Sequence, residues 1–426
     1  MCKLYHERFE PPRMRLRTFA ALLLVVLVLG GVALFGVSGG TPDGTLTERW
    51  VSDTARSIEG NHHATAVGTV NGSAMVYAPI SGTSGTDQCS LVALDENGSR
   101  EWKSQIRPAN CTIHSVADPT LADYDDDGTV EVLAATTEQT VTAHDPDTGE
   151  VEFRHDLTSY GYTKPVVDDL TGDGSSETVV VDVRGTVFVL EPNGTERWTD
   201  RLDSYTWAQP SVADFDGDGE SELVVGLRSG TVQLYESDGR VRWNETDAVE
   251  GSVTWMTTVD VPDRTGTEIV VASTEGTVSL VDGTDGSVVW ERDLGEYAAV
   301  HATGDGDGDG SREIYAVARD GDLRSLRATD GETEWSTTLT TADVQMTPPP
   351  SMGDIDGDGD PELVAVTNDG VVSVVDPDSG EVLDSYERDV AIFTHPTLAD
   401  GDGDGVPDPY VIYGDGRVVA FSFSSE

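Results

Sequence analysis

After residue 44 the chain alternates short apolar runs with turn residues, and no stretch carries helical periodicity with start and stop signals. One unit illustrates the pattern. PSVAD (Pro210–Asp214) is a short apolar run, followed by the acidic stretch FDGDGES. ELVVGL (Glu222–Leu227) then reads as a buried strand, and Ser229-Gly230 as a turn. TVQLYE (Thr231–Glu236) alternates like a half-buried strand, Asp238-Gly239 makes a hairpin turn, and RVRWNE (Arg240–Glu245) closes the unit. Four short strands are thus predicted in about 45 residues.

The unit repeats. Trp198, Trp243, Trp290 and Trp335 recur at steps of 45, 47 and 45 residues. Trp102, Phe153 and Tyr386 are assigned the same place in three further units. A four-stranded sheet with two apolar faces cannot bury both alone, whereas sheets stacked around a ring can, so the period predicts an all-β propeller. The aromatics count seven blades, and Pro396–Phe423 supplies only three strands of another. TLTERW (Thr45–Trp50) matches GTERW (Gly194–Trp198). An eight-bladed β-propeller whose N-terminal strand completes the last blade is therefore expected. A seven-bladed ring with Thr45–Trp50 as a linker is the alternative.

Ahead of the repeats, Phe19 to Val37 reads FAALLLVVLVLGGVALFGV without a charge, long enough to cross about 30 Å of hydrocarbon. Arg13, Arg15 and Arg17 precede it; Asp43 and Glu48 follow. This predicts a cytoplasmic N-terminus (1–18), one transmembrane helix acting as signal-anchor (19–37), a linker (38–44) and an extracytoplasmic propeller (45–426), hence a single-pass cell-membrane protein with its C-terminal domain outside. A cleaved signal peptide with a weak site at Val37-Ser38-Gly39 is the other reading. Five Asn-x-Ser/Thr acceptors, at Asn71, Asn97, Asn110, Asn193 and Asn244, are compatible with export. Cys89 and Cys111 can pair in an oxidising compartment or stand as two isolated small residues; both remain open.

Composition adds a formal charge of −52, with acids spread among apolar residues rather than gathered in a tail. Lysine is confined to Lys3, Lys103 and Lys164. This balance resembles proteins of salt-loving archaea, where salt screens self-repulsion. It disfavours nucleic-acid partners, whose phosphates would meet like charge.

Much of the acidity is ordered. D-x-D-x-D-G-x-x-E/D falls between the first and second strands of most units: Asp123/Asp125/Asp127/Glu131, Asp214/Asp216/Asp218/Glu222, Asp305/Asp307/Asp309/Glu313, Asp354/Asp356/Asp358/Glu362 and Asp400/Asp402/Asp404/Asp408. A sixth, Asp169/Thr171/Asp173/Glu177, has a hydroxyl in the middle. A seventh, Asp260 to Glu268, carries Pro262 and Arg264 at ligand positions and is expected to hold no ion. The first unit has no such loop. Acids at positions 1, 3 and 5 of a tight turn converge, glycine at 6 permits the turn, and the acid at 9 returns from the next strand. That oxygen-rich shell suits Ca²⁺ better than Mg²⁺, so about six structural calcium sites are expected.

These loops, with VADFDGDGESELVVG the clearest, resemble the FG-GAP repeats of integrin α-subunit propellers. The last hairpins, such as TVTAHDPDTGEVEF and TVSLVDGTDGSVVW, resemble the pyrroloquinoline-quinone-type propeller repeat, which also occurs in a cofactor-free outer-membrane assembly lipoprotein. The resemblance implies eight blades with calcium at the loops. It does not imply the quinone, because the dehydrogenases of that family place a vicinal cysteine pair over the cofactor, and Cys89 and Cys111 are not vicinal.

Segments entering each first strand face a propeller's channel mouth. They carry Tyr162, Lys164, Trp207, Gln209, Trp255 and His395, a candidate ligand surface for a sugar or peptide unless these side chains simply plug the channel. His62, His63, His114 and His301 fall near the same level. No nucleophile–base–acid set stands out. A calcium-binding adhesion, binding or scaffold module, meeting an envelope protein or glycan, is therefore expected over an exported enzyme such as a quinoprotein dehydrogenase or polysaccharide lyase.

Overall fold

In a computed structural model, residues 44–58, 60–202 and 204–425 are described. The apolar run 19–37 lies outside them, with the other segments before residue 44. Among the described residues no helix is long and apolar enough to cross a membrane.

The strands form where the apolar runs predicted them. In blade 4, Ser211–Ala213, Glu222–Gly226, Val232–Tyr235 and Val241–Glu245 pair antiparallel in chain order. The two middle strands are buried on both faces, which explains runs such as ELVVG in place of alternation. The outer strand alternates between exposed and half-buried positions. Eight such four-stranded sheets are present. Blades 1 to 7 begin with the strands at Ala66, Thr120, Val166, Ser211, Val253, Ala299 and Ser351. Blade 8 combines Thr397–Ala399, Asp408–Ile412 and Val418–Ser425 with the N-terminal strand Gly44–Val51, in register Gly44↔Ser425. The closure expected from TLTERW is therefore present, and the ring has eight blades.

Neighbouring blades touch along their inner strands, blade 8 against blade 1, and between blades 4 and 5 the contact runs from the second strand of one to the first strand of the other. Side chains lace them together: Thr120 donates to the Pro165 carbonyl, Ser351 to Pro396 and Thr397 to Thr65. The core lies between sheets. Val179, Val181, Val187 and Val189 of blade 3 pack on Leu223, Val225 and Tyr235 of blade 4. Burial of this kind contributes about 25 cal/mol per Å² of apolar surface.

The recurring tryptophan locks neighbouring blades. Trp290 of blade 5 lies over Gly331 in the last hairpin of blade 6, and its Nε1–H donates to the Ala328 carbonyl at 2.8 Å. Gly331 has φ +70°, and a Cβ there would come within 2.7 Å of the indole. Trp102, Trp198, Trp243 and Trp335 donate to the next hairpin in the same way. The rings of Trp50 and Phe153 lie over Gly98 and Gly194 in the same way.

Blade 7 corrects one expectation. Trp243 stands opposite Leu234, just past the bulge, and the residue in that register in blade 7 is Asp384, opposite Val374, not Tyr386. The reason lies next door. The two outer strands of blade 8, Gly44–Val51 and Val418–Ser425, are not joined by a hairpin, so no hairpin glycine receives an indole. Asp384 instead accepts the Leu46 N–H at 2.7 Å, and Tyr386 packs on Phe421.

Blade 1 alone joins its first two strands with a two-residue turn, Asn71-Gly72. It also carries the disulfide Cys89–Cys111, both residues buried. The covalent link falls in the blade without an acidic loop. Closing a loop of that size stabilises by about 3 kcal/mol.

Candidate functional site: acidic loops and the axial pocket

Each acidic loop is shaped by its own first and last acids. In blade 4, Asp214 accepts the Gly217 N–H at 2.7 Å and the Gly219 N–H at 3.0 Å, bending the turn around its carboxylate. Glu222 Oε2 accepts the Phe215 N–H at 2.9 Å. Asp354 with Glu362 repeats this in blade 7, and Asp305 with Glu313 repeats most of it in blade 6. Position 9 is thus held by one oxygen in blades 4, 6 and 7. In Glu222 and Glu313, each 1% exposed, the other carboxylate oxygen is buried with no hydrogen-bond partner.

Five loops bring three carboxylate oxygens within 4.8 Å of one another among the described residues. The groups are Asp123/Asp125/Asp127, Asp214/Asp216/Asp218, Asp305/Asp307/Glu313, Asp354/Asp356/Glu362 and Asp400/Asp402/Asp404. Asp309 and Asp358 stay outside their groups, as do Glu131, Glu222 and Asp408. Asp169, Asp173 and Glu177 form no such group, consistent with Thr171 replacing the middle acid. Burial, together with the adjacent Asp charges, pushes the carboxyls of Glu131, Glu222, Glu313 and Glu362 up to about 7. Burial likewise takes Asp408 to about 6 against the pull of Arg49.

The loops are not equivalent. In blades 2, 4, 6 and 8 the residue before the inter-blade aromatic lies beside its own blade's loop, and its charge varies. Arg242 pairs with Asp216 in blade 4, and Arg49 pairs with Asp402 and Asp408 in blade 8. In blade 2 the position is Glu152, and in blade 6 it is Glu334, each adding negative charge beside the loop. Blade 5 goes furthest. Arg264 lies between Glu268 and Asp282, bonded to both, and Glu268 Oε2 accepts the Gly283 N–H. A guanidinium there pairs with the position-9 acid, which the other loops leave without an arginine or pair differently.

The donor set fits a hard divalent cation. Three carboxylate oxygens within a few Å repel unless a cation joins them, and six to eight oxygens are what Ca²⁺ takes.

A second feature lies on the axis. A cavity of about 550 Å³ is lined by Tyr162, Trp207, Gln209 and Trp255 with His62, His63, His114, Asp118, Arg228 and Phe393. Lys164 and His395 line an adjoining cavity of about 520 Å³ together with His301. All six candidate ligand-surface residues therefore gather at the channel. Arg228 lies 4.8 Å from the Trp207 ring centroid and 5.7 Å from that of Tyr205. His301 and His395 stack at 4.0 Å, and burial holds both imidazoles below the usual histidine range.

Asp118 organises the wall. It is 7% exposed and accepts from His63 Nδ1 at 2.7 Å, Ala64 N at 3.1 Å and Gln209 Nε2 at 3.3 Å. Burial alone would raise its carboxyl, but the His63 hydrogen bond and the nearby His395 and Lys164 hold it below the usual range. Asp118 and Arg228 escaped the sequence reading. A signal for Asp118 existed: Asp118-Pro119 stands in register with Lys164-Pro165, Gln209-Pro210 and His395-Pro396, each just before a first strand.

A family model for the outer membrane protein assembly factor BamB matches residues 229–425, and one for the FG-GAP-like repeat matches residues 169–225. The chain thus combines the two repeat types. No curated protein matches it. Among solved structures, BamB from Moraxella catarrhalis is 17% identical with a TM-score of 0.59, covering 89% of this chain and 98% of its own. The computationally designed Ika8 protein is 15% identical with a TM-score of 0.63, covering 86% and 98%. BBS1N, solved in complex with ARL6DN, is 13% identical with a TM-score of 0.52, covering 71% and 90%. At such identities the likeness is one of fold.

Proposed function

We propose that this chain is a membrane-tethered, extracytoplasmic binding or scaffold module, with structural calcium pinning its ring and an envelope protein or glycan meeting its axial pocket. The observation that carries the reading is the convergence of aromatic and polar side chains on two adjoining cavities of the ring. Trp207 and Trp255 offer flat apolar faces, while Gln209, Arg228 and Lys164 offer hydrogen bonds and positive charge. Such a mixture suits sugar rings or an acidic peptide edge. A pocket on an eight-bladed scaffold binds without needing a moving lid.

Calcium would be held by the grouped acids in blades 2, 4, 6, 7 and 8. It would supply charge neutralisation at the loops and, by binding the folded state alone, stability through linkage. Blades 2, 6 and 7, where no ion pair between an arginine and a loop acid of the group is seen among the described residues, would bind most tightly. In blades 4 and 8 the ion must displace Arg242 or Arg49. Tethering rests on the apolar run at 19–37, and export is supported by the Cys89–Cys111 disulfide, a bond favoured outside the cytosol.

Full chain carrying Trp207→Ala and Trp255→Ala, used as bait on cell-envelope extract, tests the binding role. The substituted pocket, shown by its melting transition to be folded, should retain at least about tenfold less of the partner captured by the natural chain. Equal capture by both would remove the pocket from the account.

A further inference from the structure

Two matching arginines are treated differently by the fold. Arg228 stands at the turn between the second and third strands of blade 4, and Arg319 at the same turn of blade 6. The N–H of Arg228 donates to the Tyr205 carbonyl at 2.7 Å and that of Arg319 to the Glu296 carbonyl at 2.8 Å, so Tyr205 and Glu296 also correspond. In blade 6 the chain neutralises its own arginine: the Arg319 guanidinium pairs with Glu296 at 2.7 Å and reaches Asp343 at 3.4 Å. In blade 4 an aromatic ring takes the acid's place. The Arg228 guanidinium lies over Tyr205 and Trp207, and among the described residues no carboxylate or carbonyl accepts from it. With 78 acidic residues to 26 basic ones, composition offered partners in plenty.

Arg228 lines the axial cavity of about 550 Å³. Lys164, one of three lysines in the chain, lines the adjoining one, and its ammonium makes no ion pair or hydrogen bond among the described residues. Asp118 nearby already accepts from His63, Ala64 and Gln209. A guanidinium laid flat on aromatic rings keeps its edge free, and that planar fork of N–H donors matches a carboxylate with two parallel hydrogen bonds. The rest of the wall narrows the ligand. Trp255 and Tyr297 offer flat faces to the C–H side of a sugar ring. Glu275, at the corresponding turn of blade 5, only accepts: it takes a hydroxyl proton and repels a second carboxylate, as a run of acids in a peptide would present. The volume lies within the range of about 300–1,000 Å³ usual for small-ligand sites, room for the end of a short oligosaccharide and none for a folded domain.

We propose that the axial pocket recognises an acidic sugar of the uronate class, its ring carboxylate bound edge-on by Arg228 and its hydroxyls by Glu275 and the neutral polar side chains of the wall. Lys164 adds attraction from the adjoining cavity, a local positive field within a chain that is acidic overall. The inference rests on the binding role proposed above and narrows it from sugar or peptide to a glycan that carries carboxylates.

Calorimetric titration of the full chain in detergent, at saturating calcium and high salt, compares a galacturonate trisaccharide with its methyl ester, which keeps the rings and removes the charge. The acid should bind at least about tenfold more tightly than the ester. Arg228→Ala should abolish that preference, weakening the acid and leaving the ester unchanged. Arg228→Lys keeps the charge without the fork and should restore only part of it. Arg228 is exposed, so its variants keep the fold. Trp255→Ala should weaken both sugars alike. Equal binding of acid and ester, with both lost in Trp255→Ala, would overturn the acidic-sugar assignment while the pocket's binding role stands. Tighter binding of a tri-aspartate peptide would overturn it in favour of a peptide, and uronate binding that survives Arg228→Ala would overturn it by placing the sugar on the acidic loops. Binding of neither sugar would also overturn it, and capture from envelope extract then decides the wider role separately.

Discussion

Arg264 shows what one side chain can do at a site built for an ion. It is bonded to Glu268 and Asp282, and Glu268 is 1% exposed. Arg264→Ala would leave two acids facing each other in a partly dry turn. The pair lies between surface and fully buried cases, so unfolding free energy should drop by about 2 kcal/mol in denaturant titration. Added calcium should restore part of the loss in this variant alone. The glutamates of the other loops set a pH dependence. Glu131, Glu222, Glu313 and Glu362 hold their protons up to about 7 in the folded chain, against an ordinary value of 4.5. A raised folded value means the folded state binds the proton more tightly. In the chelated protein that stabilisation is full below pH 4.5 and is lost as pH rises through about 7. Melting temperature should therefore fall across that window with chelator. With saturating calcium, ions displace the protons and the fall should vanish.

At the level of elements, the inter-blade tryptophan is the repeated fastening. Trp290→Phe keeps a ring over Gly331 but strands the Ala328 carbonyl and shrinks the packed volume. A loss of about 2 kcal/mol is expected by chemical denaturation. Most of this architecture was legible in the sequence, because strand, acidic loop, strand, hairpin and aromatic recur in fixed order, and TLTERW declared the closing strand. The misplacement of Tyr386 has a physical origin. The bulge before the aromatic shifts register, and the position that should hold an indole holds Asp384, because its neighbour has no hairpin to dock on. Five of the six pocket residues were legible from their place before first strands, and Trp255 from its place within one. Asp118 was not noticed, since an acid among 78 acidic residues draws no attention without the Pro119 register. Pairings such as Arg242 with Asp216 arise from adjacency across the sheet and leave no mark along the chain.

Over the whole molecule, 78 acidic residues oppose 26 basic ones, and the net charge of −52 works against compaction. Closing the ring through Gly44–Val51 gives the last blade its fourth strand, and the disulfide secures the blade that lacks an acidic loop. The remaining charge needs counter-ions, general ones over the surface and specific ones in the grouped acids. Salt separates the two contributions, because about 1 M salt screens exposed charges beyond roughly 3 Å yet does not replace a chelated divalent ion. The decisive measurement is thermal melting of the full chain in high salt, with and without a calcium chelator, alongside elemental analysis of the untreated protein. The account predicts at least five bound calcium ions per chain, matching the five grouped loops. It also predicts a fall in melting temperature of more than about 10 °C on chelation. An unchanged melting curve, with no stoichiometric calcium found, would contradict it.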